Sequence, residues 1–120
     1  MAEYDRLYAG LADKMDGTTL SIDKADMETW IKREPVGVVA AIIPWNSQLF
    51  LSAVKIGPAI AAGCTVVVKA AEVAPTPLLA FAELVHEAGF PAGVINVITG
   101  FAEGCGTVLT QHPLVDHIAF

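Results

Sequence analysis

Two apolar runs limit the fold of this chain more than any other feature. Val36–Ile43 reads VGVVAAII and Thr65–Val68 reads TVVV, and polar side chains follow closely in both cases: Asn46 and Ser47 after the first run, Lys69 and Glu72 after the second. Short runs without polar alternation suit strands that are covered on both faces, as they are in parallel sheets. Between them, Leu49–Ala62 has the length and content of a helix, and Gly57-Pro58 predicts a kink or restart inside it. Gly63 is placed to end that helix. After the second run, Pro75, Thr76 and Pro77 open a helix predicted to reach Ala88, with Gly89 as its stop and Pro91 beyond. Val94–Ile98 reads as a third strand, Ala102–Gln111 as a helix and Val115–Ala119 as a fourth, short strand. Strands and helices that alternate in this way imply an α/β fold with a parallel sheet and right-handed crossovers.

The first 35 residues read differently. Tyr4–Met15 places Leu7, Tyr8, Leu11 and Met15 on one side at helical spacing, and Asp16-Gly17 gives a stop and a turn. Thr18–Ile22 and Thr29–Arg33 read as the strands of a hairpin, closed off by Pro35. Residues 1–34 hold 13 of the chain's 20 charged side chains, so the charge distribution separates an arm (residues 1–35) from an apolar body (residues 36–120). A body this poor in charge expects further protein around it, and the chain reads as a piece of something longer.

Composition removes several classes of function. At 120 residues the chain can build one domain with a core, but it is short for a two-substrate oxidoreductase. Its net charge is −6 and it has no basic cluster, which argues against a nucleic-acid partner. The longest uncharged stretches are broken by Pro44, Asn46, Ser47 and Gln48, so no membrane helix is expected. No basic region followed by an apolar run marks a signal peptide. Cys64 and Cys105 form no CxxC pair and read as reduced packing cysteines of a cytoplasmic protein.

Several familiar motifs fail. The phosphate-binding glycine fingerprint begins at Gly104 and Gly106 but meets Leu109 where a third glycine is needed. His86-Glu87 starts a zinc-binding string that Phe90 breaks, and His112 and His117 have no supporting ligands, so no metal site is expected. Two constellations remain. Asn46 follows the first apolar run, and its carboxamide could either stabilise an oxyanion or cap the helix that begins near Leu49. Lys69 and Glu72 follow the second run, where an ammonium and a carboxylate could bind the two hydroxyls of a ribose or form a surface ion pair.

The string EPVGVVAAIIPWN, followed by AAGCTVVVKAAE and the closing VDHIAF, resembles the cofactor-binding segment of the NAD(P)-dependent aldehyde dehydrogenases. The resemblance runs from about Tyr8 to Phe120. It implies a Rossmann-like parallel sheet carrying an N-terminal helix and a β-hairpin arm, the arm being part of an oligomerisation region. Residues 36–120 would be a partial NAD-binding domain. The implied reaction oxidises an aldehyde to a carboxylic acid with NAD as hydride acceptor. Asn46 would be the oxyanion donor and Lys55 a candidate proton relay, although a structural lysine paired to a carboxylate fits that position equally. Ile42, Ile43, Pro44 and Trp45 would form the apolar wall beside the cofactor. Lys69 and Glu72 would hold the adenosine ribose, and Gly106 would lie near the pyrophosphate. A carboxylate at the ribose favours NAD over NADP.

Two departures stand out. Ala70 and Ala71 occupy positions where some relatives have proline and serine, and Ala102 stands where many have glycine. The nucleophilic cysteine and general-base glutamate of such enzymes would lie C-terminal to VDHIAF. The chain therefore reads as the cofactor half of a site, in a protein that is a homo-oligomer at full length. The alternative is a non-catalytic nucleotide-binding or interaction module of the same ancestry.

Overall fold

The computed structural model describes residues 1–120. The chain begins with helix α1 (Ala2–Leu11) and a hairpin of β1 (Thr18–Leu20) and β2 (Thr29–Ile31). An alternating series follows: β3 (Val38–Ile42), α2 (Gln48–Ala61), β4 (Thr65–Ala70), α3 (Thr76–Glu87), β5 (Ile95–Thr99), α4 (Thr107–Gln111) and β6 (His117–Ala119). α1 stops at Leu11, short of the predicted Met15, with Gly10, a poor helix former, in its last turn. β1 and β2 pair antiparallel with Thr18 opposite Ile31, as a hairpin requires.

The last four strands form one parallel sheet in the order β5-β4-β3-β6. From β3 the chain steps outward through β4 to β5, then returns to the other flank of β3. The direction of winding therefore reverses between β3 and β6, and an open α/β sheet has its binding crevice at the carboxyl ends of such a pair. Val38 pairs with Thr65 and Ile42 with Lys69, and an added bond from Ile43 N–H to the Lys69 carbonyl (3.0 Å) carries the pairing one step further. The two apolar runs thus leave the sheet side by side.

Alternation along these strands builds the core. Val39, Ala41 and Ile43 from β3 and its end join Val66, Val68 and Ala70 from β4, packed with Ile56 of α2 and Leu78 of α3. All eight are buried, and they occupy one face of the sheet. Lys69 lies out of phase with this set and is buried on the opposite face.

α2 runs unbroken through Pro58, contrary to the predicted kink. Pro58 sits in the last turn, where its missing N–H removes one bond and the following bonds still close, as from Ala62 N–H to the Pro58 carbonyl (3.0 Å). Gly57 has a separate reason to be glycine. A Cβ there would come 2.6 Å from Tyr8 Cδ2, so the bare backbone of α2 is where α1 docks. Gly63 and Gly89 end α2 and α3 at φ +81°, as their positions predict.

The edge strand β6 is fixed by Asp116. Its backbone N–H donates to the Val38 carbonyl (3.0 Å), and its side-chain Oδ2 accepts from Val38 N–H (2.8 Å). Gly37 adopts φ +123°, and any side chain there would collide with the Asp116 carboxylate. One residue therefore holds the start of β3 and the start of β6 together.

Candidate functional site

A groove of about 430 Å³ opens at the carboxyl ends of β3 and β4. Its lining brings together Ile42, Ile43, Pro44, Trp45, Lys55, Lys69 and Glu72, seven of the nine site residues predicted from sequence. Ala102 and Phe120, from the turn after β5 and the end of β6, line it too, with Leu51, Ala71 and Val73. The crevice at the β3–β6 reversal is therefore the same space as the groove in which the Ile42–Trp45 segment and the Lys69–Glu72 pair meet, whereas Asn46 does not line it.

The polar end is built by Lys69 and Glu72. Lys69 Nζ donates to Glu72 Oε2 at 2.9 Å, across one helical-type step at the exit of β4. The Lys69 side chain is 8% exposed and that of Glu72 33%, so an enclosed ammonium presents an accessible carboxylate. That bond holds the Glu72 carboxyl below the usual carboxylate range, helped by a bond from its own backbone N–H. Glu72 is thus an anionic acceptor with free lone pairs, suited to a vicinal diol.

The apolar end is the Ile42–Trp45 segment. Trp45 is 68% exposed, a large flat surface left open to whatever enters the groove. Lys55 reaches back from α2, and its Nζ donates to the Ile42 carbonyl at 2.7 Å. Burial pushes its ammonium below the usual lysine range. The partner is a backbone carbonyl, where the sequence left open a carboxylate. Lys55 therefore stays in the groove wall with its charge uncompensated by an anion.

Asn46 is exposed beside Trp45 and does not cap α2: the N-cap is Ser47, and no side-chain hydrogen bond caps that end. The capping role is thus unfilled by Asn46. Ser47 itself takes a left-handed conformation (φ 49°), costly for a residue with a side chain and typical of sharply turned functional loops. Gly106 does not line the groove. A Cβ there would make only ordinary contact (3.9 Å) with Ala102, so nothing in the packing demands glycine. Gly100 is the demanding position in this turn, because a Cβ on it would lie 2.6 Å from that of Cys105. Residues 102–106 form a π-helical turn that runs into α4, and Ala102 rather than Gly106 reaches the groove.

Gln48, next to the groove wall in sequence, carries contacts that the sequence did not reveal. It is 7% exposed, and its Nε2 donates both to the Trp45 carbonyl (3.1 Å) and to the Ala74 carbonyl (2.6 Å), while Oε1 is buried without a partner. A long amide directly after a turn residue, among apolar neighbours, was its only signal in the sequence.

A carboxylate at one end and a flat apolar wall at the other can accept a ligand that carries hydroxyls at one end and a ring system at the other. A sequence model of the aldehyde dehydrogenase family matches residues 1–120. The chain is 71% identical, over its whole length, to the (Z)-2-((N-methylformamido)methylene)-5-hydroxybutyrolactone dehydrogenase of Acinetobacter baylyi, of which it covers 25%. It is 48% identical to the human mitochondrial aldehyde dehydrogenase over 96% of its length, covering 22% of that protein. The NAD⁺ complex of an aldehyde dehydrogenase from Bacillus cereus superimposes on 98% of the chain with a TM-score of 0.94 and 46% identity, and the chain covers 24% of it. The chain spans about a quarter of the length of these relatives.

Proposed function

The chain belongs to the aldehyde dehydrogenase family, and on that premise we propose that it supplies the cofactor-binding and oxyanion-stabilising part of an NAD-dependent enzyme that oxidises an aldehyde to a carboxylic acid. The observation that carries the reading is the groove itself, in which the Ile42–Trp45 wall and the Lys69–Glu72 pair meet at the carboxyl ends of neighbouring strands.

Each residue then has a physical task. Glu72 accepts hydrogen bonds from the adenosine ribose, and Lys69 orients it. Ile42, Ile43, Pro44 and Trp45 exclude water along one side of the cofactor. The Asn46 carboxamide donates to the carbonyl oxygen as it gains charge under attack by a thiolate. Lys55, with its lowered proton affinity, is placed to pass protons along the groove wall. NAD supplies the hydride acceptor. On this reading the nucleophile comes from outside this segment, which the burial of Cys64 in the core supports.

The same reading assigns the hairpin to an oligomerisation arm of a cytoplasmic homo-oligomer. Trp30 and Ile31 are 65% and 50% exposed on it, an apolar surface awaiting cover. The catalytic assignment is tested by Asn46→Ala in the full-length enzyme. kcat should fall by about 10²–10³-fold, the range for losing one oxyanion donor, with NAD affinity unchanged. An unaltered kcat with weakened NAD binding would move Asn46 from the chemistry to the cofactor wall.

A further inference from the structure

We infer that Gln48 is a positioning residue that bolts the turn carrying Asn46 to the turn carrying Glu72, so that the oxyanion donor and the ribose anchor are held as one unit. The inference rests on the proposed function for its catalytic consequence, but its geometry stands alone. Sheet pairing fixes the two strands only as far as the bond from Ile43 to Lys69. β3 ends at Ile42 and β4 at Ala70, and past these ends the bond from Gln48 to the Ala74 carbonyl is the one hydrogen bond that joins residues 44–48 to residues 70–76.

The chemistry of the contact is specific. Both partners, the Trp45 and Ala74 carbonyls, are acceptors, so the side chain must present two N–H donors from one atom. Turning the amide over would set oxygen against oxygen. A methionine fills the same space with no donor, and a glutamate matches the shape but brings a carboxylate against two carbonyls. Oε1 accepts no bond from the protein, so the two Nε2 bonds are the protein contacts that hold the amide. Its anchor points also matter for what they flank. Trp45 immediately precedes Asn46, and Ala74 lies two residues after Glu72. Displacements of about 1 Å in a catalytic group are enough to lower rates severely.

The test uses Gln48→Met and Gln48→Glu, each alone and combined with Asn46→Ala, in the full-length enzyme. Either Gln48 substitution should lower kcat roughly tenfold in the parent and leave it unchanged when Asn46 is already alanine, because the effect passes through Asn46. Hydrogen exchange should quicken together in the peptides covering residues 44–48 and 71–75 of both Gln48 variants, and in neither for Asn46→Ala. Equal loss of kcat in both backgrounds, or exchange that quickens in only one turn, would overturn the inference. So would a Gln48→Met enzyme with full kcat and a lowered melting temperature, since that is the mark of packing alone. A silent Asn46→Ala would remove the oxyanion role, and the paired exchange would still decide the bolt.

Discussion

At the scale of one residue, the proposed role of Glu72 predicts a cofactor preference. Its accessible oxygens meet the ribose in the proposed pose, and a 2′-phosphate there would lose a hydrogen bond and face like charge. Such a juxtaposition costs several kcal/mol, which predicts a preference for NAD over NADP of roughly 10²-fold or more. Lys69 moderates the effect, because its ammonium could turn toward a phosphate. In Glu72→Gln the preference should narrow, chiefly through a better kcat/KM with NADP, and equal use of both cofactors by the parent would sink the claim. The pH behaviour has a definite sign. Because the folded carboxyl is depressed, the pair with Lys69 is intact above the ordinary carboxylate value of about 4 and is lost only as pH falls through the lowered one. The Glu72 carboxylate therefore stays charged throughout the neutral range, while its exposure limits what the pair adds to folding. That Lys69, Glu72 and Trp45 gather at the strand ends was legible, because each follows closely on an apolar run. Gln48 was not, since its second partner is 26 residues away and a backbone carbonyl carries no sequence signature.

At the scale of elements, the packing of α1 on α2 tests whether Gly57 is a helix defect or a docking surface. In an isolated helix, Gly→Ala is worth about 1 kcal/mol of stability. Here the added methyl would press on Tyr8 at Cδ2 (2.6 Å), Cγ (3.2 Å) and Cβ (3.4 Å), so the whole ring would have to move. Overpacking of this kind costs about 1–3 kcal/mol, and it should win. Gly57→Ala should therefore lower the melting temperature of the full-length enzyme, whereas the same change made on a Tyr8→Ala background should raise it. A stabilised single variant would show that α1 yields easily. The element order and sheet were readable because apolar runs, prolines and terminal glycines act locally. Pro58 misled because its cost depends on how many bonds remain after it, and the π-helical turn at 102–106 has no signature in the sequence that separates it from the α-helix it runs into.

The whole molecule shows how little of itself it covers. Its radius of gyration is 17.2 Å, against roughly 14 Å for a compact domain of this length, and its extents are 61 × 31 × 25 Å. Only 16 of 120 residues are buried, while Phe120, Val73, Phe101 and Leu114 are each at least 70% exposed. β5 and β6 each leave one side unpaired, which invites pairing with other chains. A sheet of four strands with open edges and uncovered apolar faces is poorly suited to exist alone. The 120-residue chain, purified by itself, should therefore associate at micromolar concentration and produce no NADH from aldehydes. Sedimentation should report species heavier than a monomer, and calorimetry should show no sharp cooperative transition. A monomer that melts cooperatively would mean that the uncovered faces are tolerated in water. Steady NADH production abolished by Asn46→Ala would mean that the nucleophile lies within these 120 residues after all.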